Sequence, residues 1–162
     1  MNLNGLPGGQ SLADFLLSER IAYFEIGPVR NEGSPSETCW ALCSSAEMEM
    51  WSIYGRDANG FACLIHDIEE EEQPGQVLQW LHDVTGLPVA FNSTSRMHVP
   101  TTTLDLACWL TEEIHDELPD GDDLDARADD FDNHPLAPLR ESICDASGYG
   151  GDPVQHPQGA SL

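Results

Sequence analysis

Residues 48–68 read MEMWSIYGRDANGFACLIHDI, and this stretch predicts a β-hairpin. Its two arms, Met48–Tyr54 and Phe61–Ile68, contain the aromatic and β-branched residues that are typical of strands. The segment Arg56–Gly60 between them predicts a turn, because Asn and Gly accept a positive φ. We therefore expect the hairpin from Met48 to Ile68 to lie at the centre of a small antiparallel sheet.

Further strands are predicted on both sides of this hairpin. Ile21–Ile26 is an apolar run that we expect to end at Gly27-Pro28, and Thr38–Ser44 and Leu87–Phe91 are shorter candidates.

Helices are predicted over Leu12–Arg20, Gln76–Thr85 and Leu104–Leu118. The last of these has Thr103 as a candidate N-cap and an apolar stripe at helical spacing, formed by Leu106, Leu110, Ile114 and Leu118. Two or three helices packed on a small antiparallel sheet define an α+β fold.

The domain organisation follows from changes in composition along the chain. Residues 1–10 are rich in Gly, Asn and Pro and predict a flexible N-terminus, and residues 11–118 predict a single α+β domain. Residues 119–162 predict an acidic linker and a weakly ordered tail rich in Pro and Gly. Within this tail we expect at most one small docking segment, around Leu136 to Ile143.

The charge balance restricts the possible partners. The chain has no lysine, and its six arginines face 29 aspartates and glutamates, for a formal net charge of −23. Phosphates are bound through Lys and Arg, so the charge argues against direct binding of nucleic acid and against anionic membranes.

The absence of a long apolar run predicts no membrane span. Five cysteines, an odd number, do not suggest a disulfide framework, so we expect a cytoplasmic location.

Eleven acidic residues fall between Glu112 and Asp132. Asp105, Glu112 and Asp116 return to one face of the predicted helix, and Glu113 lies beside them. We expect these four residues to bind a partner together with three acids that follow the helix, namely Asp120, Asp122 and Asp123.

Carboxylates in this density predict a non-enzymatic inhibitor or decoy, with no cofactor. It would bind a basic nucleic-acid-handling protein by presenting carboxylates in place of phosphates. By analogy of charge, anti-restriction, anti-CRISPR and nuclease-immunity proteins of phages or mobile elements are the corresponding roles.

The acidity is also compatible with three simpler interpretations. The charge run can be a solvated face or tail, or an adaptation to high internal salt. The protein can also be a soluble acidic adaptor, whose hydrophobic contact would lie in the tail.

A different class of function is indicated by Phe91-Asn92-Ser93-Thr94-Ser95. This segment resembles the strand-end Ser-Thr-Ser of ADP-ribosyltransferases. The resemblance implies a small or degenerate transferase that uses the Ser93–Ser95 loop, with an early Arg such as Arg20 or Arg30. That family also has a later catalytic Glu, whereas Glu47-Met48-Glu49 precedes the Ser-Thr-Ser here.

The last candidate is a metal site. Cys39, Cys43, Cys63 and His66 could together supply four zinc ligands. In a regular strand, however, Cys63 and His66 would lie on opposite faces, and buried cysteines are more often small apolar residues. We therefore predict no metal.

Overall fold

The computed structural model describes residues 1–34, 36–118 and 124–148, and they form an α+β fold. The helices are α1 (Leu12–Ser18), α2 (Pro74–Thr85), α3 (Thr103–Glu117), α4 (Leu124–Asp132) and α5 (Ala137–Ala146). The strands are β1 (Ile21–Asn31), β2 (Trp40–Leu42), β3 (Met50–Asp57), β4 (Ala62–Asp67) and β5 (Val89–Phe91).

The predicted hairpin is confirmed as β3 and β4. Asp57 closes its turn, because its carboxylate accepts hydrogen bonds from the backbone N–H groups of Asn59 and Phe61. Gly60 has a φ of 86°, which explains the glycine at this position. The sheet order is β2-β1-β3-β4, so β3 is a central strand and β4 an edge strand. All of these pairs are antiparallel, and β5 adds to β1 in parallel.

The longest strand, β1, does not end at Gly27-Pro28 as predicted. It continues to Asn31, with Pro28 opposite Trp51 on β3. The carbonyl of Pro28 points away from β3 and accepts from the N–H of Cys43. An N–H at residue 28 would face the same side, where the register of β1 and β2 continues and places Pro28 opposite Cys43. The carbonyl of Cys43, which would accept from an N–H at residue 28, accepts instead from the backbone N–H of Thr94, so a proline is compatible with the strand.

The core lies between one face of the sheet and the helices. Phe24, Ile26 and Ile53 from the sheet are fully buried, as are Leu81 of α2 and Leu110 of α3. Thr102 caps α3 in place of the predicted Thr103, and the Thr102 hydroxyl accepts from the N–H of Asp105. The burial of the apolar stripe of α3, formed by Leu106, Leu110 and Ile114, determines which of its residues face outward.

Two helices lie in the segment for which we expected a linker and tail. The docking segment predicted around Leu136 to Ile143 corresponds to α5, which packs on α2 and α3 and buries Leu139 and Ile143 completely. Gly75 allows this close packing, because a Cβ atom at that position would lie 2.3 Å from the backbone N of Ile143. The hydrophobic core therefore extends beyond Leu118.

None of the helices among residues 1–34, 36–118 and 124–148 is both long enough and apolar enough to span a membrane.

Candidate functional site

Helix α3 presents the four predicted partner-binding residues that precede Leu118, but in different environments. Asp105, Glu112 and Asp116 are exposed, and Glu113 is half-buried. Their positions follow from the burial of Leu106, Leu110 and Ile114 against the core.

Asp105 belongs to the start of the helix. Its carboxylate accepts hydrogen bonds from the hydroxyls of Thr102, at 2.8 Å, and Thr101, at 2.9 Å. These bonds, first of all that from Thr102, lower the pKa of Asp105 below its usual value. Asp105 therefore carries a negative charge that already serves the helix cap.

Glu113 is engaged by an arginine. Arg96 Nη1 lies 2.7 Å from Glu113 Oε2, and Arg96 Nη2 also pairs with Glu117. Glu117 in turn contacts His134 Nε2 at 2.6 Å, which ties the segment before α5 to α3. Because Arg96 compensates two carboxylates, Glu113 is a poorer candidate for an external partner than its place in the sequence suggests.

Glu112 and Asp116 are the two acids of the row without such engagement. Neither side chain makes a hydrogen bond or ion pair with a residue of the described part of the chain. Between them, the His115 ring contacts the Phe131 ring of α4 with a centroid separation of 4.9 Å.

That ring contact places α4 beside the outer row of α3. Helix α4 contributes the exposed acids Asp129, Asp130 and Asp132. We call these three residues, together with Glu112 and Asp116, the α3–α4 acidic face. The remaining predicted residues, Asp120, Asp122 and Asp123, lie outside the described residues.

The Ser93–Ser95 loop follows β5 and forms a turn. Ser93 is buried, and its hydroxyl accepts from the backbone N–H groups of Ser95, at 3.3 Å, and Arg96, at 3.2 Å. Glu47, of the Glu-x-Glu segment, pairs with Arg30 at 2.7 Å and accepts from Ser44. These contacts are those of a Ser-stabilised turn and a surface ion pair.

Our prediction that Cys63 and His66 face opposite sides of the sheet is wrong. The register shifts between Ile53 and Tyr54, so β4 has one extra residue and both Cys63 and His66 pair with residues on one face of β3. His66 bonds instead to Glu72, at 2.7 Å, and to the backbone N–H of Asn4. In the part of the chain that the structure describes, no group of three His, Cys, Asp or Glu residues could hold a metal ion.

A buried ion pair that we did not predict lies on the sheet face opposite the helices. Glu25 of β1 is only 2% exposed, and its Oε1 accepts from Arg56 Nη2 at 2.5 Å and from Asn92 Nδ2 at 3.1 Å. Arg56 also donates to the carbonyl of Gly60, so this cluster joins β1, the hairpin and the end of β5. A single glutamate between Phe24 and Ile26 in an apolar strand was the available signal.

A hydroxyl network continues along the same face. Ser52, fully buried, donates to Asp67 at 2.5 Å, and burial raises the pKa of the neighbouring Tyr54. Arg56 Nε is buried without a hydrogen-bond partner among the described residues, but the other charged groups and hydroxyls of the network bond to one another, which favours a structural role over a catalytic one.

Comparison with protein families, with curated proteins and with solved structures gives no match for this chain.

Proposed function

We propose that this protein is a non-enzymatic acidic decoy that binds a basic nucleic-acid-handling protein through the α3–α4 acidic face. The observation that carries the proposal is the exposure of Glu112 and Asp116 beside the acids of α4, without a cation among their contacts in the described residues. The three acids Asp120, Asp122 and Asp123 precede α4 in the sequence and belong to the same proposal.

The distribution of the arginines supports this choice of surface. Arg30 and Arg56 pair with glutamates away from this face, and Arg96 pairs with Glu113 and Glu117 on α3. Arg127 is in α4, and Arg140 donates to the Thr111 hydroxyl and lies over the Phe131 ring. Among the described residues, no arginine makes an ion pair with the five acids of the face, in a protein whose formal net charge is −23. Such a face would attract a basic groove at long range and at a rate that falls with salt.

Charge spacing shows why α3 alone is insufficient. Glu112 and Asp116 are four residues apart, which corresponds to about 6 Å along a helix. Duplex DNA carries one charge per about 1.7 Å of its axis. The acids of α4 are therefore needed to approach the charge density of a duplex.

The test compares two variants that each lose five negative charges. The first neutralises the acidic face, with the substitutions E112Q, D116N, D129N, D130N and D132N. The second neutralises five exposed acids elsewhere, with E37Q, E49Q, E69Q, E70Q and E71Q. Each protein is immobilised and offered a lysate of the source organism at low and at moderate salt, with and without competing duplex DNA.

We expect a basic nucleic-acid-binding protein to be retained at low salt and displaced by DNA. Its retention should fall at least about tenfold with the first variant and stay near the wild-type level with the second. An equal loss with both variants would mean that net charge alone is responsible. An equal retention by all three proteins, or a retained partner that DNA does not displace, would also contradict the proposal.

A further inference from the structure

A second surface of the molecule is apolar and lies between α1 and α2. Leu12, Leu16 and Leu17 of α1 form one wall of this groove, and Trp80 and Val84 of α2 form the other. Ile21, at the start of β1, lines it as well, and the volume of the groove is about 590 Å³. This size is in the range that accepts a ligand or several side chains of a partner.

The groove is preformed and open. Leu12, Leu16 and Trp80 pack against the core on their inner sides, which holds both walls in place. Leu17 is 79% exposed and Val84 is 54% exposed, so the outer edges of both walls are in contact with solvent. A contiguous apolar surface of this kind is typical of an interaction site, whereas single exposed apolar residues are not.

The charged residues beside the groove indicate what kind of partner it would bind. Asp14 on α1 and Asp83 on α2 are exposed on the turns that flank the two walls, and Glu19 ends α1. Asp14 bonds to the Ser11 hydroxyl and Asp83 to the Gln79 amide, so neither has a cation partner in the described part of the chain. Arg20, next to Glu19, is the one cation at the end of α1. The flanks are therefore mainly acidic.

These charges disfavour two other occupants. A second copy would bring together two molecules that each carry a formal net charge of −23. An anionic membrane would be repelled for the same reason. A positively charged partner is favoured instead.

We propose that the α1–α2 groove binds a basic amphipathic helix of a different protein. Apolar side chains at positions i, i+3 or i+4, and i+7 of that helix would enter between Leu17 and Val84. Its Lys and Arg residues would lie over Asp14, Glu19 and Asp83. Like the proposed function, this inference requires a positively charged partner, but the partner need not handle nucleic acid. The groove has no residue in common with the α3–α4 acidic face.

The probe is a synthetic amphipathic Leu/Lys helix of about 18 residues, long enough to be helical when bound. A scrambled peptide of the same composition, with its leucines on all sides, has the same charge. Binding is measured by calorimetry at about 150 mM NaCl, where distant surface charges are screened. Backbone amide NMR shifts of the ¹⁵N-labelled full chain locate the site.

Two double variants separate the groove from general apolar exposure. The first, Leu17→Ser with Val84→Ser, removes the open edges of the groove without touching a buried residue. The second, Met97→Ser with Val99→Ser, removes two side chains that are each 68% exposed and lie outside it.

We expect the amphipathic peptide to bind at least about tenfold more tightly than the scrambled one, with shifts confined to α1, α2 and two further lining residues, Ile21 and Leu87. The first double variant should lose this difference, and the second should keep it. The variant with a neutralised α3–α4 acidic face should also keep it, which separates a failure of this inference from a failure of the proposed function.

Three results would overturn the inference. The scrambled peptide could bind equally well, the shifts could map to other parts of the chain, or the first double variant could bind as the wild type does. Sedimentation that shows a dimer of the wild type and a monomer of the L17S/V84S variant would assign the groove to a second copy instead.

Discussion

At the scale of single residues, the structure separates acids that look alike in the sequence. Glu112 and Glu113 are neighbours, yet Glu112 faces solvent and Glu113 pairs with Arg96. Glu25 is the extreme case, because it lies within an apolar strand and its charge is compensated by Arg56. Whether an acid presents a negative charge to solvent therefore depends on whether an arginine pairs with it.

The Glu25→Gln substitution tests the buried pair. It keeps the shape of the side chain but leaves the Arg56 guanidinium, 20% exposed, without its counter-charge. We expect a loss of about 2–3 kcal/mol in the free energy of unfolding, measured with urea.

The matched control is Glu32→Gln, which breaks the exposed Arg30–Glu32 pair with its side chains 38% and 48% exposed. Pairs of this kind are worth at most about 1 kcal/mol, so the effect should be clearly smaller. Equal losses in the two variants would show that burial of Glu25 does not strengthen its pairing.

At the scale of secondary-structure elements, the close packing of α2 on α5 decides where the core ends. Gly75 is at the start of α2, and its N–H donates to the buried hydroxyl of Ser142 at 2.9 Å. Composition after Leu118 suggested a solvated tail, but Leu136, Leu139 and Ile143 complete the core. A short apolar stripe in a polar segment is therefore more informative than the average composition around it.

Gly75→Ala is the test at this scale. Alanine is the better helix former, but its Cβ would lie 2.3 Å from backbone atoms of both Ser142 and Ile143, which cannot move independently of α5. We expect a loss of about 1–3 kcal/mol in the free energy of unfolding, measured with urea.

Gly8→Ala provides the comparison, because a Cβ atom there has no neighbour within 4 Å. This variant should stay within about 0.5 kcal/mol of the wild type. A neutral or stabilising Gly75→Ala substitution would mean that α5 does not pack on α2 as described.

At the scale of the whole molecule, the net charge of −23 opposes the compact state. Arginine ion pairs relieve only part of this repulsion, since they engage Glu25, Glu32, Glu47, Glu113 and Glu117 among the described residues. Stability should therefore depend on ionic strength throughout the molecule and not at one site.

We predict that the urea midpoint of unfolding rises when NaCl is increased from about 20 to about 500 mM, because added salt screens the repulsion. The variant with E37Q, E49Q, E69Q, E70Q and E71Q should show a smaller rise, since it has fewer charges to screen. A midpoint that is independent of salt in both proteins would contradict this account, and a chain that is unfolded without molar salt would indicate adaptation to high salt.

The sequence by itself determined the elements whose signals are local. The β3–β4 hairpin, the two long helices α2 and α3 and the α+β class follow from turn residues and from apolar spacing, which depend on residues close together in the chain. The acidity of the whole molecule is likewise a property of composition alone.

Only the tertiary structure decided which residues meet. It placed α5 in the core, Arg96 against Glu113, α1 beside α2 to form the groove, and Pro28 opposite Cys43, whose carbonyl accepts from the N–H of Thr94. These contacts join residues far apart in the sequence, and no local pattern specifies their distance. For that reason the acidity of α3 could be read from the sequence. That Glu113 pairs with an arginine, whereas Glu112 and Asp116 do not, could not be predicted from it.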